Sequence, residues 1–253
     1  MAFMSSSEEQ KKNLEAEAEA EDTASDPSTE LGSEVSYYEG SDDESDDESP
    51  FFAEDTVLIF DWDDTVLPST WIAECGLSLS DSCEPTQEQQ AQLTHMAARA
   101  AETLCVAKRF GKVILVTNAE HGWIEMSCQK FMPSLLPCLK DGVKILSART
   151  TYETKGVISP FEWKYLAFER EICAFYESFS ADRRKNVISF GDSFHEREAL
   201  IRVTERMQNC CIKSLKFTER PEVNQLLKEH ELISGCFRHI VNHDGNLDLC
   251  IRC

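Results

Sequence analysis

The sequence lacks long apolar runs, a surplus of positive charge and an apolar leader. No window approaches the roughly 18 consecutive apolar residues that a membrane-spanning helix needs, so we expect no membrane span. With 25 Lys+Arg against 46 Asp+Glu, the net charge of −21 argues against nucleic-acid or anionic-membrane binding, because both need positive surfaces. The first residues also lack the basic-then-apolar order of a secretory signal. We therefore expect the eleven cysteines to be reduced thiols, in a cytoplasmic or nuclear protein.

Large apolar side chains are scarce in the first fifty residues, which carry most of the negative charge. Residues 1–50 hold 17 acids and 2 bases, a net charge of −15, and residues 51–253 hold 29 acids and 23 bases, a net charge of −6. So little apolar surface cannot offset the entropy of folding, and we predict a disordered acidic tail over residues 1–53. Its repeat Ser41–Ser49 is similar to acidophilic-kinase sites. Phosphorylation there would strengthen binding to basic partners, and a solvated spacer is the alternative.

From residue 54 onward, short apolar runs alternate with helical patterns. The runs are Thr56–Phe60, Lys112–Val116, Val143–Leu146, Asn186–Phe190 and Cys210–Phe217, and the helical patterns between and after them are Gln87–Phe110, Trp123–Phe131, Pro160–Phe179, Glu196–Met207 and Glu222–Leu232. Continuous apolar runs are typical of strands buried on both faces. The alternation predicts an α/β fold, a three-layer Rossmann-like parallel sheet with helices on both faces.

The folded region is predicted to be one domain, residues 54–253. Its core covers residues 54–217, and residues 218–253 form an extension whose role the sequence leaves open. After the helix at Glu222–Leu232, the apolar segments Phe237–Val241 and Leu247–Ile251 are expected to pack as a final helix and strand.

Polar residues follow three of the apolar runs, where an open α/β sheet binds its ligands. The first run ends in Asp61-Trp62-Asp63-Asp64-Thr65, the second in Thr117-Asn118, and the fourth in Gly191-Asp192, with Glu196 close behind. Crowded carboxylates repel one another unless a cation lies between them, and oxygen ligands favour Mg²⁺. A carboxylate can also act as a nucleophile, and a second acid nearby can transfer protons.

These segments resemble motifs one, two and four of the haloacid dehalogenase-like (HAD) phosphohydrolases, in order and in placement. The resemblance covers about residues 54–217 and implies that Asp61 is the nucleophile and a Mg²⁺ ligand. It makes Asp63 the general acid/base and a metal ligand through its carbonyl. It also makes Asp192 a metal ligand, and Glu196 a direct or water-mediated one. Thr117 and the backbone of Asn118 would hold the phosphoryl oxygens.

The third motif of that family is a lysine that neutralises the nucleophile and the phosphate. Lys155, Lys164 and Lys185 are the candidates. Lys185 directly precedes the fourth run, at the wrong end of the sheet. Lys164, in the first turn of a predicted helix, is preferred over Lys155, which lies in the loop before it.

Four residues near these motifs are expected to cap, pack or border the site. Asp64 is expected to cap the turn after the strand. Trp62 is expected to line the site or pack, and Trp123 to pack against the sheet. His195 is expected to lie on the rim of the site, because Mg²⁺ prefers oxygen ligands.

The spacing of the motifs leaves little room for a cap domain over the site. After the crossover helix Gln87–Phe110 is subtracted, only about 20 residues, Leu67–Thr86, remain between the first two motifs. An open site suits a bulky substrate such as a phosphoprotein, although Leu67–Pro85 could instead be a mobile lid. The resemblance implies a Mg²⁺-dependent phosphatase acting through an aspartyl-phosphate. The alternatives are transfer to an acceptor other than water, and a catalytically weak or inactive regulatory protein of the same fold whose acidic tail recruits partners.

Overall fold

Six strands of the folded region form one parallel sheet, and a three-residue strand joins its edge. The computed structural model describes residues 29–31, 50–80 and 82–252. In chain order the strands are β1 (Thr29–Leu31), β2 (Thr56–Phe60), β3 (Lys112–Thr117), β4 (Lys144–Ser147), β5 (Lys185–Gly191), β6 (Cys210–Lys216) and β7 (Leu247–Ile251). They lie in the order β1-β7-β6-β5-β2-β3-β4, and every neighbouring pair is parallel. The predicted parallel sheet is therefore confirmed.

Most of the acidic tail lies outside the described residues, so its predicted disorder stays a prediction. Within it, the backbone of β1 pairs in parallel with β7, from Thr29 opposite Leu249 to Leu31 opposite Ile251. The domain itself begins slightly before residue 54. Phe51 is buried, and a 3₁₀ turn at Ala53–Asp55 leads directly into β2.

Eight α-helices connect and follow the strands in the described residues. They are α1 (Ser69–Glu74), α2 (Gln87–Phe110), α3 (Trp123–Phe131), α4 (Leu136–Lys140), α5 (Ala148–Glu153), α6 (Pro160–Tyr176), α7 (Phe194–Thr204) and α8 (Val223–Asn242). The predicted bounds of α2 and α3 are confirmed. The last helix is longer than predicted, because it takes in the apolar segment 237–241.

The helices cover both faces of the sheet. Leu58 and Phe60 of β2 pack in one apolar cluster with α2, α3 and α8, whereas Val57 and Ile59 pack in a second cluster with α5, α6 and α7. All five residues of β2 are buried, because alternate side chains enter the two clusters. This arrangement confirms the predicted three layers.

In the part of the chain that the structure describes, no helix combines the length and the apolar character needed to cross a bilayer.

Candidate active site

The strand order reverses beside β2, and the candidate site lies at that point. From β2 the chain runs outward through β3 and β4, then returns to β5 on the other side of β2. The ends of β2 and β5 are tied together, since the Asp61 amide donates to the Phe190 carbonyl (2.9 Å) and the Phe60 and Phe190 rings stack at 4.1 Å. A crevice at the carboxyl ends of strands, where the order reverses, is the usual ligand site of such sheets.

Three carboxylates converge at this end of the sheet. One oxygen from each of Asp61, Asp192 and Glu196 lies within 4.8 Å of the others. Asp61 follows β2, Asp192 follows β5, and Glu196 reaches back from the first turn of α7. Gly191 permits this close approach, because a Cβ there would overlap the Glu196 side chain. An all-oxygen donor set of this kind fits Mg²⁺.

Glu196 uses both of its oxygens within the protein. Its Oε2 accepts from the amide (3.1 Å) and the hydroxyl of Ser193, the N-cap of α7. Its Oε1 lies 2.7 Å from Lys164 Nζ. Glu196 therefore links the helix cap to the lysine.

Lys164 is the lysine that lies against the carboxylates. It is the fifth residue of α6 and is 1 % exposed, and its Nζ lies 2.8 Å from Asp61 Oδ1 and 3.1 Å from the Val116 carbonyl. Lys155 Nζ instead lies 4.9 Å from the centre of the Tyr152 ring. Lys185 Nζ donates to the Arg183 and Gln208 carbonyls at the amino end of β5.

Asp63 is oriented away from the carboxylate cluster and toward β3 and α3. Its Oδ1 accepts from Trp123 Nε1 (2.9 Å), and its Oδ2 accepts from the Thr117 hydroxyl (3.2 Å). The Thr117 hydroxyl in turn accepts from the Ala119 amide at 2.9 Å. The Asp63 carboxylate is thus not one of the three that cluster, and the family resemblance implies that only its carbonyl takes part in the metal site.

Asn118 joins the end of β3 to the start of α6. Its Nδ2 donates to the Pro160 carbonyl at 3.0 Å, and its Oδ1 is buried without a hydrogen-bond partner. This contact holds the loop after β3 close to the helix that carries Lys164.

Burial and mutual repulsion shift the pKa values of these acids. Burial raises the pKa of Asp61 to about 7 despite the attraction of Lys164. Burial, followed by repulsion from Glu196 and Asp61, raises the pKa of Asp192, and burial also raises that of Asp63. For Glu196, burial acts in the same direction but is outweighed by Lys164, so its pKa is lowered.

One lysine cannot neutralise all of these carboxylates. Burial would lower the pKa of Lys164, but Asp61 and Glu196 outweigh it and the pKa is raised. With every group ionised, the three clustered acids and the lysine carry a net charge of −2. A bound cation would relieve the repulsion, so the residues present fit a Mg²⁺ site.

The neighbouring residues that were expected to cap, pack or border the site make the following contacts. Asp64 has a positive φ of 51°, and its carboxylate caps α1 by accepting from the Thr70 amide at 2.8 Å. Trp62 is fully buried and donates to the Ser127 hydroxyl at 3.0 Å. The ring of His195 lies 6.0 Å from that of Phe161.

The contact that sequence reasoning missed is the one from Trp123 to Asp63. These residues are 60 positions apart, and the apolar spacing of α3 explains Trp123 equally well as a packing residue. Nothing in the sequence shows which way the indole N–H points.

No family model matches the chain, and searches of curated proteins and of solved structures found no match either.

Proposed function

We propose that the protein is a Mg²⁺-dependent phosphatase similar to the HAD phosphohydrolases, hydrolysing a phosphomonoester through an aspartyl-phosphate on Asp61. The observation that carries the proposal is the position of Asp61 at the strand-order reversal. There it contacts a buried lysine and lies beside two further acids. A second carboxylate, Asp63, stands two residues away on separate hydrogen bonds. The presence of both acids favours catalysis over a binding role, because a binding protein does not need the second acid.

Asp61, Asp192 and the carbonyl of Asp63 would hold the Mg²⁺ ion. Because both oxygens of Glu196 are already engaged, we assign it the water-mediated position. When bound, Mg²⁺ would screen the negative charge that Asp61 and the phosphate bring together.

In the first step, a carboxylate oxygen of Asp61 attacks phosphorus and the bond from phosphorus to the leaving oxygen breaks. Asp63 gives its proton to that oxygen, which leaves as an alcohol. Lys164 balances the charge of the nucleophile, and Thr117 with the amides around Asn118 binds the phosphoryl oxygens.

In the second step, Asp63 takes a proton from a water molecule, which attacks the phosphorus of the aspartyl-phosphate. The bond between phosphorus and the Asp61 oxygen breaks, so that inorganic phosphate leaves and free Asp61 is restored. Asp63 is again protonated and ready for the next cycle. Transfer to another acceptor would use the same first step.

The region between the first two motifs is packed against the domain. Trp71 and Leu77 are 8 % and 9 % exposed and pack in the apolar cluster of α2 and α8. Asp64 further fixes this region by capping α1. A packed segment argues against a mobile lid, and an open site favours a bulky substrate such as a phosphoprotein.

The test is phosphate release from p-nitrophenyl phosphate, phosphopeptides, sugar phosphates and nucleotides, each with Mg²⁺ and with EDTA. We expect Mg²⁺-dependent release, its loss in Asp61→Asn, and normal activity in the matched control Asp182→Asn, which changes an exposed acid. Phosphopeptides should be the best substrates. Full activity in Asp61→Asn would exclude the nucleophile assignment, and an inactive wild type that still binds phosphopeptides would favour the regulatory alternative.

A further inference from the structure

The acid/base candidate Asp63 is held by an indole N–H in addition to the threonine hydroxyl. Trp123 is the first residue of α3, and its Nε1 donates to Asp63 Oδ1 at 2.9 Å. The helix begins there because Gly122 adopts a positive φ of 87°, which glycine tolerates without strain. The position of Trp123 is therefore set by the start of the helix.

A second hydrogen-bonded link ties the same two segments together. Trp62 Nε1 donates to the Ser127 hydroxyl (3.0 Å), which donates to the Trp123 carbonyl (2.6 Å). Trp62 and Ser127 are fully buried. The turn that carries Asp63 is thus connected to the first turn of α3 at two points, and the indole of Trp123 is a fixed donor.

The chemistry of the two donors to Asp63 differs. An indole nitrogen can only donate, so Oδ1 is restricted to accepting. The Thr117 hydroxyl is a rotor that can donate or accept, and it lies on the side of Oδ2. A proton on Asp63 therefore belongs on Oδ2, at the end of β3 where the phosphoryl group is expected.

We propose that Trp123 is a positioning residue that reserves Asp63 Oδ1 as an acceptor and directs Oδ2 toward the scissile bond. This inference rests on the proposed phosphatase function and deepens it. The indole of Trp123 is only half-buried, so its packing does not require Nε1 to point at a carboxylate. Nε1 nevertheless donates to Asp63 Oδ1.

The test compares substrates whose leaving groups need different amounts of protonation. Nitrophenolate leaves readily without a proton, whereas an alkoxide requires one. In Trp123→Phe we expect kcat/KM for β-glycerophosphate to fall roughly tenfold or more, through kcat with KM nearly unchanged. For p-nitrophenyl phosphate the same change should cost less than about threefold.

A double-mutant cycle tests whether Trp123 acts through Asp63. If it does, adding Trp123→Phe to Asp63→Asn should cause no further loss. Replacing Trp123 with benzothienylalanine keeps the shape and removes the N–H, so it separates the hydrogen bond from packing. Trp163→Phe is the matched control, because its Nε1 donates instead to the Val157 carbonyl at 2.7 Å.

Equal losses for both substrates, additive losses in the cycle, or full activity of the benzothienylalanine protein would each overturn the inference. In those cases Mg²⁺-dependent, Asp61-dependent phosphatase activity would remain. A wild-type protein with no activity on these two substrates or on phosphopeptides would overturn both proposals.

Discussion

Lys164 and Lys213 are both buried, at 1 % and 0 % exposure, but they lie in opposite electrostatic surroundings. Lys164 contacts the carboxylates of Asp61 and Glu196, and its pKa is raised. Lys213, in the middle of β6, donates to Asn186 Oδ1 (2.8 Å) and to the Val241 carbonyl (2.6 Å). Burial among these neutral acceptors lowers its pKa to about 8.

The difference shows that burial of a lysine does not by itself indicate a functional site. The charge of Lys164 is balanced by acids that are themselves crowded, an arrangement suited to an incoming phosphate and cation. Lys213 has no acid among its hydrogen-bond partners, and its Nζ lies over the face of the Phe51 ring, 4.6 Å from the ring centre. Its contacts join β5, β6 and the end of α8, which is a structural role.

The largest effect should come from removing the balanced lysine. Lys164→Met keeps a similar volume but leaves Asp61 and Glu196 buried without their cation. Breaking a buried ion pair in this way costs roughly 3–5 kcal/mol, so the free energy of unfolding in EDTA should fall by about that amount. Urea denaturation at pH 7.5 measures it.

The matched control for this variant is Lys155→Met, at an exposed position in the same part of the chain. It should change stability by no more than about 0.5 kcal/mol. Phosphatase activity should be lost in Lys164→Met and kept in Lys155→Met. Equal stability of the two variants would show that Lys164 does not balance the acids.

The same substitution at Lys213 should have a different outcome. Lys213→Met removes a buried charge that lacks an acid in hydrogen-bond contact, which relieves its desolvation cost. It also leaves the buried Asn186 Oδ1 without this donor, so the two effects oppose each other. At pH 7.5 we expect its free energy of unfolding to lie within about 1 kcal/mol of wild type, or above it. A loss as large as that of Lys164→Met would remove the distinction between the two lysines.

The pH dependence of the wild type sharpens this second test. The pKa of Lys213 is about 8 in the folded protein, against the ordinary lysine value of 10.5 that applies to the unfolded chain. Between these values the unfolded chain binds the proton and the folded protein does not, so this group adds stability as pH rises. Relative to Lys213→Met, the free energy of unfolding of wild type should rise by up to roughly 3 kcal/mol between pH 8 and pH 10.5. It should fall by the same amount when the pH is lowered again.

The fold was predictable because its main signals are local. The run Thr56–Phe60 is buried at every position, and the helix Gln87–Phe110 starts at a Thr86 cap and ends before Gly111. Helix α8 was predicted too short. Its end depends on contacts with the sheet made by Phe237 and Val241, and the sequence does not show these contacts.

The proximity of Asp61, Asp192, Glu196 and Lys164 was predictable from the sequence, but the contacts of the individual atoms were not. Strand ends placed Asp61 and Asp192 together, since parallel strands share one edge, and helix geometry favoured Lys164 over Lys155. The orientation of Asp63 toward Trp123 depends on a side-chain rotamer and on the docking of α3, which local sequence does not determine. The same holds for the engagement of both oxygens of Glu196.

A further prediction extends the comparison from lysines to an acid. Glu229 of α8 is buried, its Oε1 accepts from the Thr218 amide (3.1 Å), and its Oε2 has no hydrogen-bond partner. Burial raises its pKa from 4.5 to about 7. Between these values the folded protein holds the proton and the unfolded chain does not, so stability is lost as pH rises through 7.

Glu229→Gln removes this ionisation and keeps an oxygen for the Thr218 amide. We compare the free energy of unfolding of the variant with that of wild type at two pH values. The variant's advantage should be about 1–2 kcal/mol larger at pH 8 than at pH 4.5. The difference between the proteins is the informative quantity, because neighbouring His230 acts in the opposite direction. Burial lowers the pKa of His230 to about 4, so its contribution falls as pH drops from 6.5. If the difference between the two proteins does not change with pH, burial does not keep Glu229 protonated.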